Sequence, residues 1–215
     1  MQHAAATSGD KIDMLLAAFS AGTLTPAMHA LIASHLAMSQ RNCGFVAVLD
    51  ESQGEQLCSS QAAPVDNRDA RLAAIFQAVY ADGIPARPQG FFPAPLRRFI
   101  GRDLAAIKWR TRLPGLREYR IASEAQGEAS LYWIKAGRKM PLHTHGGSEV
   151  TLVLHGSFHD ASGRYQRGDV AVADADVDHQ PVADGDCLCF AVTDAPLRLT
   201  GPVGRIVERL LGHRH

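Results

Sequence analysis

Four histidines and Glu149 stand within MPLHTHGGSEVTLVLHGSFHD, residues 140–160, a stretch whose apolar residues otherwise alternate as in β-structure. In a strand, positions i and i+2 share a face, so His143 and His145 project together. Gly146 and Gly147 allow a sharp turn, and Glu149 enters the next strand two residues later. The three side chains can converge on one point. Two imidazole nitrogens and a carboxylate oxygen suit a divalent transition metal, and that donor set does not select strongly among zinc, iron and manganese. Burying such groups without partners would cost on the order of several kcal/mol, which favours coordination over a row of separate core histidines. His155 and His159 lie outside this spacing and are expected at the surface or at strand ends.

The elements that must hold these groups change character along the chain. Between Lys11 and Asp82 the apolar spacing is helical. Leu15, Leu16 and Phe19 precede a stop at Gly22. Thr25 and Pro26 then supply an N-cap and a first-turn proline for a helix whose apolar face carries Met28, Leu31, Ile32, His35 and Leu36. A third helix is predicted over Asp69–Ala81, on the rhythm of Leu72, Ile75, Phe76, Val79 and Tyr80. Residues 83–99 carry four prolines and two glycines, which excludes a continuous helix or central strand apart from a short helix over Leu96–Phe99. From Asp103 onward the period is two. Short runs at 131–133, 150–154, 170–172, 188–192 and 197–199 predict at least five strands in a sandwich or barrel. The expected fold is α+β as separate domains: a helical bundle over 1–85, a linker over 86–102 and a β-barrel over 103–215.

Composition narrows the partners. The 215 residues are 46% hydrophobic and carry a formal net charge of +0, so no basic surplus points to nucleic acid or to a membrane surface. No apolar run reaches the roughly 20 residues of a membrane span. MQHAAATSGDKID lacks the basic-then-apolar order of a signal peptide, and a cytoplasmic location is expected. Cys43, Cys58, Cys187 and Cys189 are too few and scattered for a disulfide framework and are expected to be reduced. Cys187 and Cys189 share a strand face, as small buried hydrophobes or as a thiol pair near the metal.

The spacing Gly137, five residues, His143-x-His145, three residues, Glu149, six residues, Gly156 resembles the first metal motif of the cupins. That resemblance implies a jelly-roll barrel and places the fourth ligand, on a later strand, at His179 in GDVAVADADVDHQPVADGD. Gly168-Asp169 matches the opening of that second motif, while Ala173–Asp176 stands where a Pro-x-Gly is usual. The implied cofactor is one divalent metal per chain, zinc foremost, with iron, manganese or nickel as alternatives. Residues 15–42, together with PAPLRRFIGRDLAAIKWR at 93–110 and APLRLTG at 195–201, resemble the ChrR family of anti-sigma factors, in which a helical anti-sigma domain precedes a cupin. The resemblance implies a transcription regulator, not an enzyme. Its helices would sequester an extracytoplasmic-function sigma factor and release it on oxidative stress, singlet oxygen being the family's signal. No direct contact with nucleic acid or membrane is implied. Isolated cupins often pair through their sheets, which leaves a homodimer open.

The family's second zinc signature, in the helices, is His-x3-Cys-x2-Cys completed by an upstream histidine. Here His35 holds the first position, Ser39 and Asn42 replace the cysteines, and the upstream position falls at Asp10, with His3 nearby. Cys43 is one residue late, which on a helix turns its side chain by about 100°. Zinc is not expected at this site, and His35 reads as a hydrogen-bonded histidine on an apolar face. The rival from another class is a metal-dependent cupin enzyme such as a dioxygenase, with iron on the three histidines and Glu149. Tyr132, Tyr165 and His155 are its only further acid or base candidates.

Overall fold

A computed structural model describes residues 8–82, 90–124, 127–145, 147–173, 179–195 and 197–199. Helix α1 (Ser8–Ser20) gives way at Gly22, whose φ of 68° is the left-handed geometry that ends helices. Helix α2 (Pro26–Met38) begins as the sequence predicts: the Thr25 hydroxyl accepts the Met28 N–H at 3.4 Å, and Pro26 occupies the first turn. Helix α3 (Cys43–Ser59) was not expected. Val46 is its one buried residue, and its other apolar residues mark out no stripe at helical spacing. Helix α4 (Arg68–Asp82) covers the predicted third helix, and α5 (Ala94–Ile100) ends at Gly101 in the same left-handed conformation.

Asp103 then fastens the chain. Its carboxylate accepts the Leu104 N–H at 2.8 Å, opening a 3-10 turn over Leu104–Ala106, and also the N–H groups of Phe91 and Phe92. One side chain therefore ties the start of α5's approach to the start of the sheet.

The strands are β1 (Arg110–Leu113), β2 (Leu116–Glu124), β3 (Gly127–Ile134), β4 (His143–His145), β5 (Glu149–His155), β6 (Ser157–Asp160), β7 (Gly163–Gln166), β8 (Val170–Ala173), β9 (Val182–Ala183), β10 (Cys187–Thr193) and β11 (Leu197–Leu199). Six form one antiparallel sheet in the order β1-β2-β3-β10-β5-β8. The smaller sheets β7-β6-β9 and β11-β4 complete the barrel. Alternation sorts the side chains of the large sheet onto two faces. Tyr132, Ile134, Val153, Cys187 and Cys189 look inward, onto Phe158, Met140 and Leu116. Leu131, Val150, Leu152, Leu154, Leu188, Phe190 and Val192 look outward.

That outer face is covered by the chain's own helices. Leu16 of α1, Leu31 and Ile32 of α2, and Leu96 and Ile100 of α5 are buried in one core with it, and Phe99 lies against Phe190 at 6.2 Å between ring centres. With both faces covered, β10 reads as an unbroken apolar run. Each fully buried Leu or Ile at this seam stabilises the fold by roughly 2 kcal/mol. The helical and barrel segments therefore share a core. Among the described residues no helix is long and apolar enough to cross a membrane.

Candidate metal centre

The barrel interior brings three of the four expected ligands together, His143, Glu149 and His179. β4 carries His143, and an isolated bridge sets His179 opposite it: the His143 N–H donates to the His179 carbonyl at 3.3 Å and the His179 N–H returns a bond to the His143 carbonyl at 3.1 Å. The two rings stand 4.3 Å apart between centres. Glu149 opens β5, and its Oε2 lies 3.6 Å from Nε2 of His143 and 3.5 Å from Nε2 of His179. The three side chains are 2%, 12% and 10% exposed for His143, Glu149 and His179. His145 pairs through its backbone with Leu197 of β11, and its side chain lies outside the described residues.

Neighbouring groups orient these atoms. The Nδ1–H of His143 donates to the Pro141 carbonyl at 2.7 Å, which fixes the tautomer and turns the Nε2 lone pair toward Glu149. The Thr151 hydroxyl donates to Glu149 Oε1 at 2.8 Å, leaving Oε2 on the side of the imidazoles. Asp160 Oδ2 lies 3.8 Å from Nδ1 of His179. A basic nitrogen and a carboxylate oxygen turned on each other inside a barrel are the donor set of a cation site, and the ligand atoms of the three residues lie within 4.8 Å of one another. The residues present fit a divalent metal.

The electrostatics agree with a site built around positive charge. Burial works against a proton on His179, but hydrogen bonding to Asp160 and Glu149 and their negative charge outweigh it, and its pKa is pushed up to about 9. Burial likewise opposes charge on Asp160, yet bonds from His179 and from the Ser162 and Gly163 N–H groups hold its carboxyl below the usual range. Tyr132 donates to Glu118, itself paired with Arg112, and burial together with the charges of Glu118 and Glu149 raises its phenol. A cavity of about 190 Å³ adjoins the three ligands, lined also by Tyr132, Met140, Asp160, Tyr165 and Cys189, with Lys11 of α1 at its wall.

Asp160 and Thr151 were not singled out from sequence, although strand alternation from Phe158 and Glu149 points both inward. His155 and His159 do not join the centre. His155 is exposed and stacks on Trp133 at 6.4 Å, while His159 bonds Asp184 at 2.7 Å on the surface. Cys187 and Cys189 are buried and reduced, with sulfurs 3.5 Å apart. Bonding to Cys187, burial and the charge of Glu149 all raise the Cys189 thiol, which marks it as an inert buried group.

A helical segment seated on a cupin-type barrel defines a two-part architecture, and the comparisons with known proteins agree. Residues 98–197 match the family described as the ChrR Cupin-like domain. The chain is 35% identical over 202 residues to the anti-sigma-E factor ChrR of Cereibacter sphaeroides, covering 91% of this chain and 94% of that protein. It also matches a chain in the crystal structure of Rhodobacter sphaeroides SigE in complex with the anti-sigma ChrR, at 34% identity and a TM-score of 0.70, covering 85% of this chain and 96% of that one. The chain belongs to the ChrR family of anti-sigma factors, which are regulators and not enzymes.

Proposed function

We propose that this chain sequesters an extracytoplasmic-function sigma factor in the cytoplasm through residues 1–85, and that the cupin, residues 103–215, conditions that grip across the linker at 86–102. The observation that carries the reading is on the helices. Phe45, Val48 and Leu57 of α3 and Leu72, Ile75 and Phe76 of α4 are exposed, with Leu57 at 75%, Ile75 at 59% and Phe76 at 55%. Large apolar side chains left in water on two successive helices are what a partner's surface would cover. The crystallised relative is bound to a sigma factor, SigE, and a sigma factor is the partner that family membership supports here.

In the barrel, His143, His145, Glu149 and His179 would hold one divalent ion, zinc foremost. When bound, the ion supplies a rigid cross-link among β4, β5 and the His179 segment. The rest is done by the chain: Pro141 fixes the His143 ring, Thr151 aims Glu149, and Asp160 holds His179. Release under oxidative stress such as singlet oxygen requires that the barrel have two states that differ in their effect on sigma affinity.

The test is co-expression of the full chain with the extracytoplasmic-function sigma factors of its own genome, followed by purification. A stable complex with one of them is expected. The double substitution Ile75→Asp, Phe76→Asp should weaken it by about 100-fold or more, as for a hot-spot pair, and leave the melting temperature within about 2 °C because both side chains are already in water. A full-length chain that binds none of them would sink the reading.

A further inference from the structure

His35, in the last turn of α2, is 2% exposed and stands where the family resemblance places a zinc ligand. Its Nδ1 lies 2.6 Å from the carbonyl oxygen of Gly168, which belongs to the turn between β7 and β8. A carbonyl can only accept, so Nδ1 carries the proton and the lone pair resides on Nε2. That nitrogen is met at 3.0 Å by the side-chain amide nitrogen of Asn42, a donor. The ring is fully satisfied. An amide N–H now addresses the electron pair that a zinc ion would need, and an NH2 group ligates no metal.

The neighbouring positions agree. The Ser39 hydroxyl accepts the Arg41 N–H at 3.3 Å, and the Cys43 thiol is turned back onto the Leu36 and Ser39 carbonyls at 3.6 and 3.5 Å. Among the described residues, the group of His, Cys, Asp and Glu dense enough for a metal ion is the one in the barrel. The described residues of the helical segment do not fit zinc.

What His35 grips is the barrel itself. Gly168, at φ 90°, donates its N–H to the Val153 carbonyl at 2.8 Å, and Asp169 next to it pairs with Arg41 at 3.3 Å. The chain then runs straight into β8, whose Ala171 and Ala173 line the cavity and whose Ala173 lies opposite Glu149 in the sheet. We infer that this chain has replaced the helical zinc site with a metal-independent latch, in which His35, its ring held by Asn42, ties the end of α2 to the strand that faces the barrel's carboxylate. A change in the spacing of β5 and β8 is then felt at α2 through the Gly168 carbonyl, without an ion in the helices.

The experiment uses the full chain purified with zinc, in wild-type, His35→Ala, Asn42→Ala and Glu149→Ala forms. Metal per chain is measured by inductively coupled plasma mass spectrometry, and amide hydrogen exchange is followed over residues 26–42 and 164–173. Both His35→Ala and Asn42→Ala should keep the wild-type metal content. His35→Ala should speed exchange at least tenfold in both segments, since it unties two elements 133 residues apart at one bond. Asn42→Ala should do so more weakly, and it decides the matter if His35→Ala fails to fold. Loss of about one zinc per chain in either variant would make these residues ligands and overturn the latch, and so would unchanged exchange at 164–173. Glu149→Ala, which acts on the barrel ion alone, keeps a failure of the metal assignment distinguishable from a failure of the latch.

Discussion

Glu149 sits between two imidazoles, and its carboxylate is what would let a pair of buried histidines hold a cation. With Oε2 within 3.6 Å of both Nε2 atoms, removing the carboxylate removes the negative charge and the ligand together. The double substitution His143→Ala, Glu149→Ala should lower zinc from about one ion per chain to near zero by elemental analysis, while far-ultraviolet circular dichroism stays that of a folded barrel. Retention of the ion would place it elsewhere. Gly156 acts on the backbone that carries these groups. Its φ is 72°, and a Cβ there would sit 2.2 Å from the Asp186 carbonyl oxygen, a backbone atom that cannot swing aside. Gly156→Ala should therefore destabilise the fold by about 2 to 3 kcal/mol, read as a lower urea midpoint at unchanged slope.

Asp103 makes the clearest case for an element held at its end. Burial pulls its carboxyl upward, but the Leu104, Phe91 and Phe92 N–H groups and the charge of Arg97 outweigh that and hold it below the usual carboxylate range. A carboxylate lowered on folding contributes stability above its unfolded pKa and gives it up as pH falls through the folded value. Asp103→Ala should cost about 1 kcal/mol at neutral pH, and the gap to wild type should narrow once pH drops below about 4. A gap that stayed constant to low pH would show that the side chain acts through packing. The same scale explains what could be read in advance. Thr25 and Pro26 marked α2 because capping is local, and the alternation of Val150, Leu152 and Leu154 marked β5 because one face of every strand must be dry. Helix α3 escaped because its apolar residues form no stripe, most of them standing in water. The stripe of α4 was legible, but that Leu72, Ile75 and Phe76 on it face solvent was not. His179 could be placed by resemblance alone, since its register depends on a bridge to His143, 36 positions back in sequence. Gly168 could not be foreseen as the partner of His35 for the same reason.

At the scale of the molecule, the decisive fact is that α1, α2 and α5 and the barrel bury one another. Phe190 is fully buried on the outer face of β10, in a core that also holds Leu31 and Ile32 of α2, and it touches Phe99 of α5. Sequence spacing suggests a helical segment, a linker and a barrel, and because residues of all three share one core the segments should unfold together. Phe190→Ala should cost about 3 to 5 kcal/mol through the lost burial and the cavity left behind. Denaturation should remain a single transition in which a helical probe and a barrel probe, such as tryptophan fluorescence from Trp133, lose their signals at the same midpoint. Two separated transitions would mean that α1 and α2 hold their structure without the sheet. A single one would mean that the two halves are coupled through their packing. The sheet that carries Glu149 inward carries Val150 and Leu152 outward beneath the helices, and strain on one face of a close-packed strand is delivered to the other.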